Sequence, residues 1–198
     1  MSSYHHGNLR EALIETGIKY MSDNGEMGLS LRKISAACGV SHAAAYSHFA
    51  DKNALLDAMR DHVTAQFMEV LERTALQHKT EPHMVAYLGR SYVEFFAQNP
   101  HYFVFLFYRM STIVNLDDLT FCENCPPFEL FKTIVVNVFQ KLCLPEKKHL
   151  QTLLAMWASV HGLASIAAMG CIRYGGDWGA LTSDILTENI CIQGDGVR

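Results

Sequence analysis

The hydrophobic positions recur almost everywhere at intervals of three and four, which is the period of one face of a helix. Leu9, Leu13, Ile14, Ile18 and Met21 fall on one stripe and predict a helix over Asn8–Asp23. The stretch "NGEMG" ends it, with Gly25 as the stop. Ser30 is placed to cap a second helix, Leu31 to Cys38, which buries Leu31, Ile34 and Cys38. Gly39 follows, where a left-handed residue costs little. Ser41 caps a third helix, His42 to His48. Asp51 caps a fourth, long helix whose apolar face holds Leu55, Leu56, Met59, Val63, Phe67, Val70 and Leu71. Further helices are predicted over Met84–Gln98, Tyr102–Met110, Phe128–Leu142, Pro145–Ile172 and Trp178–Ile190. "NPH" separates the first two of these, and "RYGGDWG" reads as a turn. The segment Ser111–Pro127 is the least regular and is expected to be a mobile connection. Strand-like alternation is scarce. The predicted fold is all-α: a three-helix head over residues 1–52, joined by the long helix to a larger helical body over 53–198.

Two short helices meeting at a turn that contains glycine form a helix-turn-helix. In such a unit the second helix enters the DNA major groove, with its leading residues at the base edges. The stretch "CGVSHAAAYSHF" meets those demands. Gly39 serves the turn, Val40 plugs the space between the helices, and Ser41 caps. His42, Ala43 and Ala44 make a low leading edge. Ala45 and Phe49 face the head's core. Tyr46 and His48 are long enough to reach phosphate oxygens. Lys52 starts the next helix, where a cation opposes the helix dipole and is more easily explained by an anion outside than by helix stability. The competing reading is a purely structural helix-turn-helix.

Charge does not decide between these. The net charge is -4, and residues 1–60 hold six Lys/Arg against six Asp/Glu. DNA binding therefore has to come from where a few cations stand. With hydrophobic residues at 49% and charged ones at 18%, the chain has the composition of a globular protein. No export signal is apparent near the N-terminus, so a cytoplasmic location with reduced cysteines is expected. The uncharged stretch His149–Ile172 is long enough to span a bilayer, but His149, Gln151, Thr152, Ser159, His161 and Ser165 favour a buried helix and no membrane partner.

The residues of "LSLRKISAACGVSHAAAYSHFADKNALL" resemble the DNA-binding domain of the TetR (tetracycline-repressor-type) family of transcriptional regulators. The likeness is carried by Ile34, Ala37, Gly39-Val40-Ser41, Tyr46, His48-Phe49, Lys52 and Leu55, and extends over about Asn8–Leu56. "WASVHGLAS" resembles a stretch of the C-terminal domain in one branch of the family. The resemblance implies a homodimeric repressor or activator, a repressor in the first instance, on a palindromic double-stranded operator, released from or tightened on DNA when a small molecule enters the body. A small-molecule effector would control its DNA affinity, and no cofactor is implied. By position, His42, Ala43 and Ala44 would face bases. Ser30, Arg32, Ser41, Tyr46, His48 and Lys52 would face phosphates. The family often has glycine followed by threonine or serine where this chain has Ala43 and Ala44. Direct readout is then thin, resting on His42 and on alanine methyls against thymine methyls. Part of the specificity would come from DNA shape.

In the body, Ala155, Ala158, Gly162, Ser165 and Ala168 form a seam of small residues, read as a dimer interface built with the last helix. Leu153, Met156, Val160 and Leu163 make a bulky neighbouring face. A surplus of aromatic residues suggests an apolar ligand site, with candidates Tyr92, Phe96, Phe103, Phe107, Arg109, Phe128, Trp157 and His161. Cys122-x-x-Cys125 raises two further readings. A zinc site needs four ligands, and no second pair completes it. A thiol-based redox sensor is the other reading. No phosphate-binding glycine loop, HExxH or nucleophile elbow is present, so an enzyme is not expected. The rival to a DNA-binding regulator is a small-molecule-binding or scaffolding protein whose helix-turn-helix no longer binds DNA specifically.

Overall fold

A computed structural model describes residues 9–81, 83–108 and 125–194, with side chains described as far as Glu188. Helices α1 (Leu9–Asn24), α2 (Leu31–Ala37), α3 (His42–Tyr46), α4 (Lys52–Gln77), α5 (Met84–Gln98), α6 (Pro100–Tyr108), α7 (Pro126–Lys141), α8 (Glu146–Ala168) and α9 (Trp178–Gly194) follow one another. The described residues contain no strand. A short 3-10 turn, Glu26–Gly28, lies between α1 and α2, where the sequence pattern predicts only a stop.

Several boundaries differ from expectation. Only Asn99 separates α5 from α6. Pro100 opens α6 instead of breaking the path, because a residue in the first turn has no helical partner for an N–H. For the same reason α7 begins at Pro126, two residues before Phe128. The expected connection lies outside the described residues as far as Asn124. Helix α8 stops at Ala168, where Met169 turns to extended backbone (φ −76°, ψ 116°). Helix α9 runs on to Gly194.

The residues pack as two units. The first runs to Ala65 and takes in the end of α6 from Val104. Its core holds Leu13, Ile14 and Ile18 of α1, Leu31 and Ile34 of α2, Ala45 of α3, Phe49, and Leu55, Met59 and Val63 of α4. Cys38 is buried with them, its thiol 3.2 Å from the Thr16 hydroxyl. His62 of α4 is tied to Glu15 of α1 at 2.6 Å.

The second unit holds α4 from Gln66, α5, the start of α6, and α7 to α9. Helix α5 lies against both α8 and α9. Gly89 makes this close approach possible: a Cβ there would collide with the Leu186 side chain and stand 3.0 Å from Val160 Cγ1. Asp177 starts α9. Its Oδ1 accepts from the N–H groups of Gly179 (2.8 Å) and Ala180 (3.1 Å), and its Oδ2 meets the Arg90 guanidinium at 3.2 Å. The Ala180 bond first, then the Gly179 bond and Arg90, hold this carboxyl below its usual range. By length and composition α8 could cross a membrane. One of its faces, Leu153, Met156, Val160 and Ala164, is buried, and the helix packs on α5, α7 and α9.

Candidate nucleic-acid interface

Three local devices shape the helix-turn-helix. Ser30 has extended backbone (φ −152°, ψ 150°), and its hydroxyl accepts the Lys33 N–H at 3.2 Å, closing the start of α2. At the far end the chain reverses through Gly39 (φ +69°). The Gly39 N–H bonds to Ala36 O (3.1 Å) and the Val40 N–H to Ser35 O (3.0 Å). This paired closure needs a left-handed residue, which only glycine supplies without steric cost. Ser41 then repeats the role of Ser30: φ −69°, ψ 154°, with its hydroxyl accepting the Ala44 N–H at 3.2 Å.

Helix α3 has five residues and two distinct sides. Ala45 is fully buried, and Phe49 just beyond the helix is 3% exposed. Ser41, His42, Ala43, Tyr46 and His48 are exposed, and Ala44 is half-buried. Of the residues expected at base edges and phosphates, Ser41, His42, Ala43, Tyr46 and His48 thus reach solvent from this segment, while the two expected in the core are in it. Arg32 is exposed on α2. Lys52 has an internal partner that the sequence pattern does not reveal. Its ammonium lies 3.4 Å from the Glu26 carboxylate and 3.3 Å from the Glu26 carbonyl oxygen, and its side chain remains 37% exposed. An outside anion is therefore not needed to account for a cation at this place. Sequence reasoning also misses Arg10, whose guanidinium sits 5.4 Å from the centre of the Phe49 ring.

In the second unit most of the ligand candidates form one chain of touching rings. Tyr92 meets Phe96 (5.3 Å between centroids), Phe96 meets Phe103 (5.2 Å), and Phe103 meets His161 (5.2 Å). His161 meets Trp157 (6.2 Å), and Trp157 meets Phe128 (4.9 Å). Phe67, not among the candidates, packs on Tyr92 and Phe96. Phe107 belongs to the first unit, and Arg109 lies outside the described residues. The polar ends of the cluster meet each other: the Tyr92 hydroxyl is 3.1 Å from His161 Nδ1. Burial pushes the Tyr92 phenol well above its usual range, with the nearby Cys125 adding to it. Burial pushes the His161 imidazole below its ordinary 6.5.

The His161 shift has a measurable consequence. A base whose folded pKa is depressed contributes stability that is present above the unfolded value and lost as pH falls through the folded one. Denaturation in urea at pH 7.5 and at pH 5.5 should show a larger loss of stability for the wild type than for His161→Gln. Equal losses in the two proteins would mean that the imidazole is not desolvated.

On α8, Ala155 and Ala158 are exposed, and Gly162, Ser165 and Ala168 are partly exposed. A Cβ at Gly162 would meet nothing within 4 Å. Ile166 (40% exposed) and Met169 (47%) add apolar surface near the end of the helix. Among the described residues no group of three or more His, Cys, Asp or Glu is placed to hold a metal. Cys122 lies outside the described residues, and Cys125 is half-buried.

Comparison with known proteins agrees with this geometry. Residues 13–59 match the family of bacterial regulatory proteins of the tetR type. Residues 85–187 match the tetracyclin repressor-like C-terminal domain. The class C tetracycline repressor protein of Escherichia coli is 42% identical over 52 residues, which span 26% of this chain and 24% of that repressor. A TetR-family transcriptional regulator of Haemophilus influenzae Rd superposes with a TM-score of 0.66 at 22% identity, covering 92% of this chain and 94% of the other. A TetR-like transcriptional regulator from Rhodococcus sp. RHA1 gives a TM-score of 0.65 at 15% identity, over 93% and 97%. At these identities the two structures share the fold. With a C-terminal match over more than half its length and a helix-turn-helix match ahead of it, the chain belongs to the TetR family, as a DNA-binding regulator of transcription and not an enzyme.

Proposed function

We propose that the protein is a homodimeric repressor that occupies a palindromic operator and releases it when a small apolar molecule enters the aromatic cluster of the second unit. The observation that carries this is the solvent face of α3. A capped five-residue helix presents Ser41, His42, Ala43, Tyr46 and His48 outward while Ala45 and Phe49 anchor it in the core. His42, Ala43 and Ala44 are assigned to the bases; Ser30, Arg32, Ser41, Tyr46, His48 and Lys52 are assigned to the phosphates. The small-residue seam of α8, with Ala155 and Ala158 exposed, is assigned to pairing between two copies. A two-fold pair would set its recognition helices about one DNA turn apart, roughly 34–36 Å. The effector is assigned to the rings around Tyr92, Phe96, Phe103, Phe128, Trp157 and His161. It can shift DNA affinity only by binding the free and the DNA-bound states differently. Occupying DNA, the protein would work in the cytoplasm.

The test is capture of genomic fragments by the purified protein, then fluorescence anisotropy on the best fragment and on a scrambled one at two salt concentrations. Light scattering gives the stoichiometry of the complex. The expected result is an inverted repeat bound by two chains in a saturable, salt-sensitive way. Equal and weak binding to both fragments would instead leave the second unit's small-molecule site as the function.

A further inference from the structure

Lys33 is a cation of the head that stands apart from the phosphate contacts assigned above. Lys33 lies in the first turn of α2, beside Arg32, and is exposed. Its side chain does not simply extend into water. The ammonium donates to the Tyr20 hydroxyl at 3.1 Å and stands 5.6 Å from the centre of the Tyr20 ring. The turn before α2 is built around this pair. A Cβ at Gly28 would lie 2.7 Å from the Tyr20 hydroxyl oxygen and 3.3 Å from Lys33 Nζ, so the backbone of this turn runs close beside the tips of the pair.

Tyr20 fixes the position of this ammonium without neutralising its charge. The other pinned amines among the described residues meet carboxylates: Lys52 with Glu26 at 3.4 Å and Lys132 with Glu129 at 2.7 Å. Lys33 meets a neutral phenol instead. Fixing an exposed lysine costs rotamer entropy, which a surface contact with a ring offsets only in part. What remains is a positive charge held in place on the first turn of α2, the turn that Ser30 caps and that also carries Arg32. Ser30 and Lys33 are already coupled, since the Lys33 N–H donates to the Ser30 hydroxyl.

We propose that Lys33, positioned by Tyr20, is a further contact of this regulator to the DNA backbone, offering its ammonium to a phosphate oxygen beside Ser30 and Arg32. The inference rests on the DNA-binding reading of the head. Phosphate contacts position a protein without reading sequence, so the effect should be alike on operator and on unrelated DNA. Each phosphate neutralised adds about 0.9 to the slope of log affinity against log salt.

The experiment measures that slope for the wild type, Lys33→Gln, Lys33→Arg and Tyr20→Phe, with Lys141→Gln, an exposed lysine of α7, as control. Lys33→Gln should flatten the slope by about 0.9 per bound chain. For each doubling of salt, the wild type then loses about twofold more affinity per bound chain than the variant. Lys33→Arg should keep the slope, and so should Tyr20→Phe, with weaker binding because the amine is no longer held by a hydroxyl. Circular dichroism and thermal melts of each variant establish that the head is folded. If the wild type is salt-sensitive and Lys33→Gln has the same slope, the pair merely fastens α2 to α1 and the proposal fails alone. If the wild type shows no salt-sensitive binding to any DNA, the DNA reading falls and takes the proposal with it.

Discussion

Phe67→Ala will cost the protein about 3–5 kcal/mol of stability, the range for truncating a large aromatic in a packed core. Phe67 is 1% exposed. Its ring stacks on Phe95 at 5.1 Å (26° between planes), meets Tyr92 edge-on at 5.0 Å (83°), and touches Phe96 at 4.9 Å. Truncation removes the transfer free energy of the ring and leaves a cavity walled by other rings. Those walls are stiff, because each ring is held by further rings, so the void closes poorly. Domains have only about 5–15 kcal/mol in total, so roughly a fifth or more of the stability is at stake. At about 2–4 °C per kcal/mol for a chain of this size, the melting temperature falls by about 6–20 °C. Urea denaturation of the wild type, Phe67→Leu and Phe67→Ala checks this. Leucine should recover much of the loss. A cost below about 1 kcal/mol for alanine would show that the cluster is loosely packed.

The largest effect on DNA binding is expected from Ala43→Glu. Ala43 is exposed, second in α3, and assigned to the leading edge against the bases. A carboxylate there faces the negative field of the duplex, and juxtaposed like charges cost several kcal/mol. At about 1.4 kcal/mol per factor of ten, operator affinity should fall by at least about 100-fold. The fold should not suffer, since an acid in the first turn of a helix is favoured by the helix dipole. An unchanged or slightly higher melting temperature beside lost binding would separate recognition from stability. Ala43→Gln, of similar size and neutral, should lose far less. Anisotropy on the captured fragment measures both, and undiminished binding by Ala43→Glu would mean that this edge does not lie against DNA.

The legible parts of this protein are those whose cause is local. Ser30, Ser41 and Gly39 announce themselves because a cap and a left-handed turn are decided by a few neighbouring residues. Ala45 and Phe49 can be assigned to the core because four residues carry a side chain back to nearly the same helical face. The start of α6 defeats a reading of Pro100 as a break, because a proline is equally at home in a first turn. Other features depend on pairs that no local rule links. Tyr20 and Lys33 stand on different helices, as do Tyr92 and His161, and the partnership of Lys52 with Glu26 needs the 3-10 turn between α1 and α2. The aromatic surplus is visible in the composition, whereas the order in which the rings touch is a property of the packed unit.

Helix α3 is too short to persist by itself, since isolated helices of one or two turns are not stable in water. Its order is borrowed from the core through Ala45 and Phe49. The surface assigned to DNA therefore exists only while the head is folded, and DNA would act as a folding ligand. At an operator concentration about 100 times the dissociation constant, the bound head gains about 2.7 kcal/mol against unfolding. A protease that attacks the open chain would then spare the regulator on its operator and remove it when it is released, so that occupancy of the site also sets the lifetime of the protein.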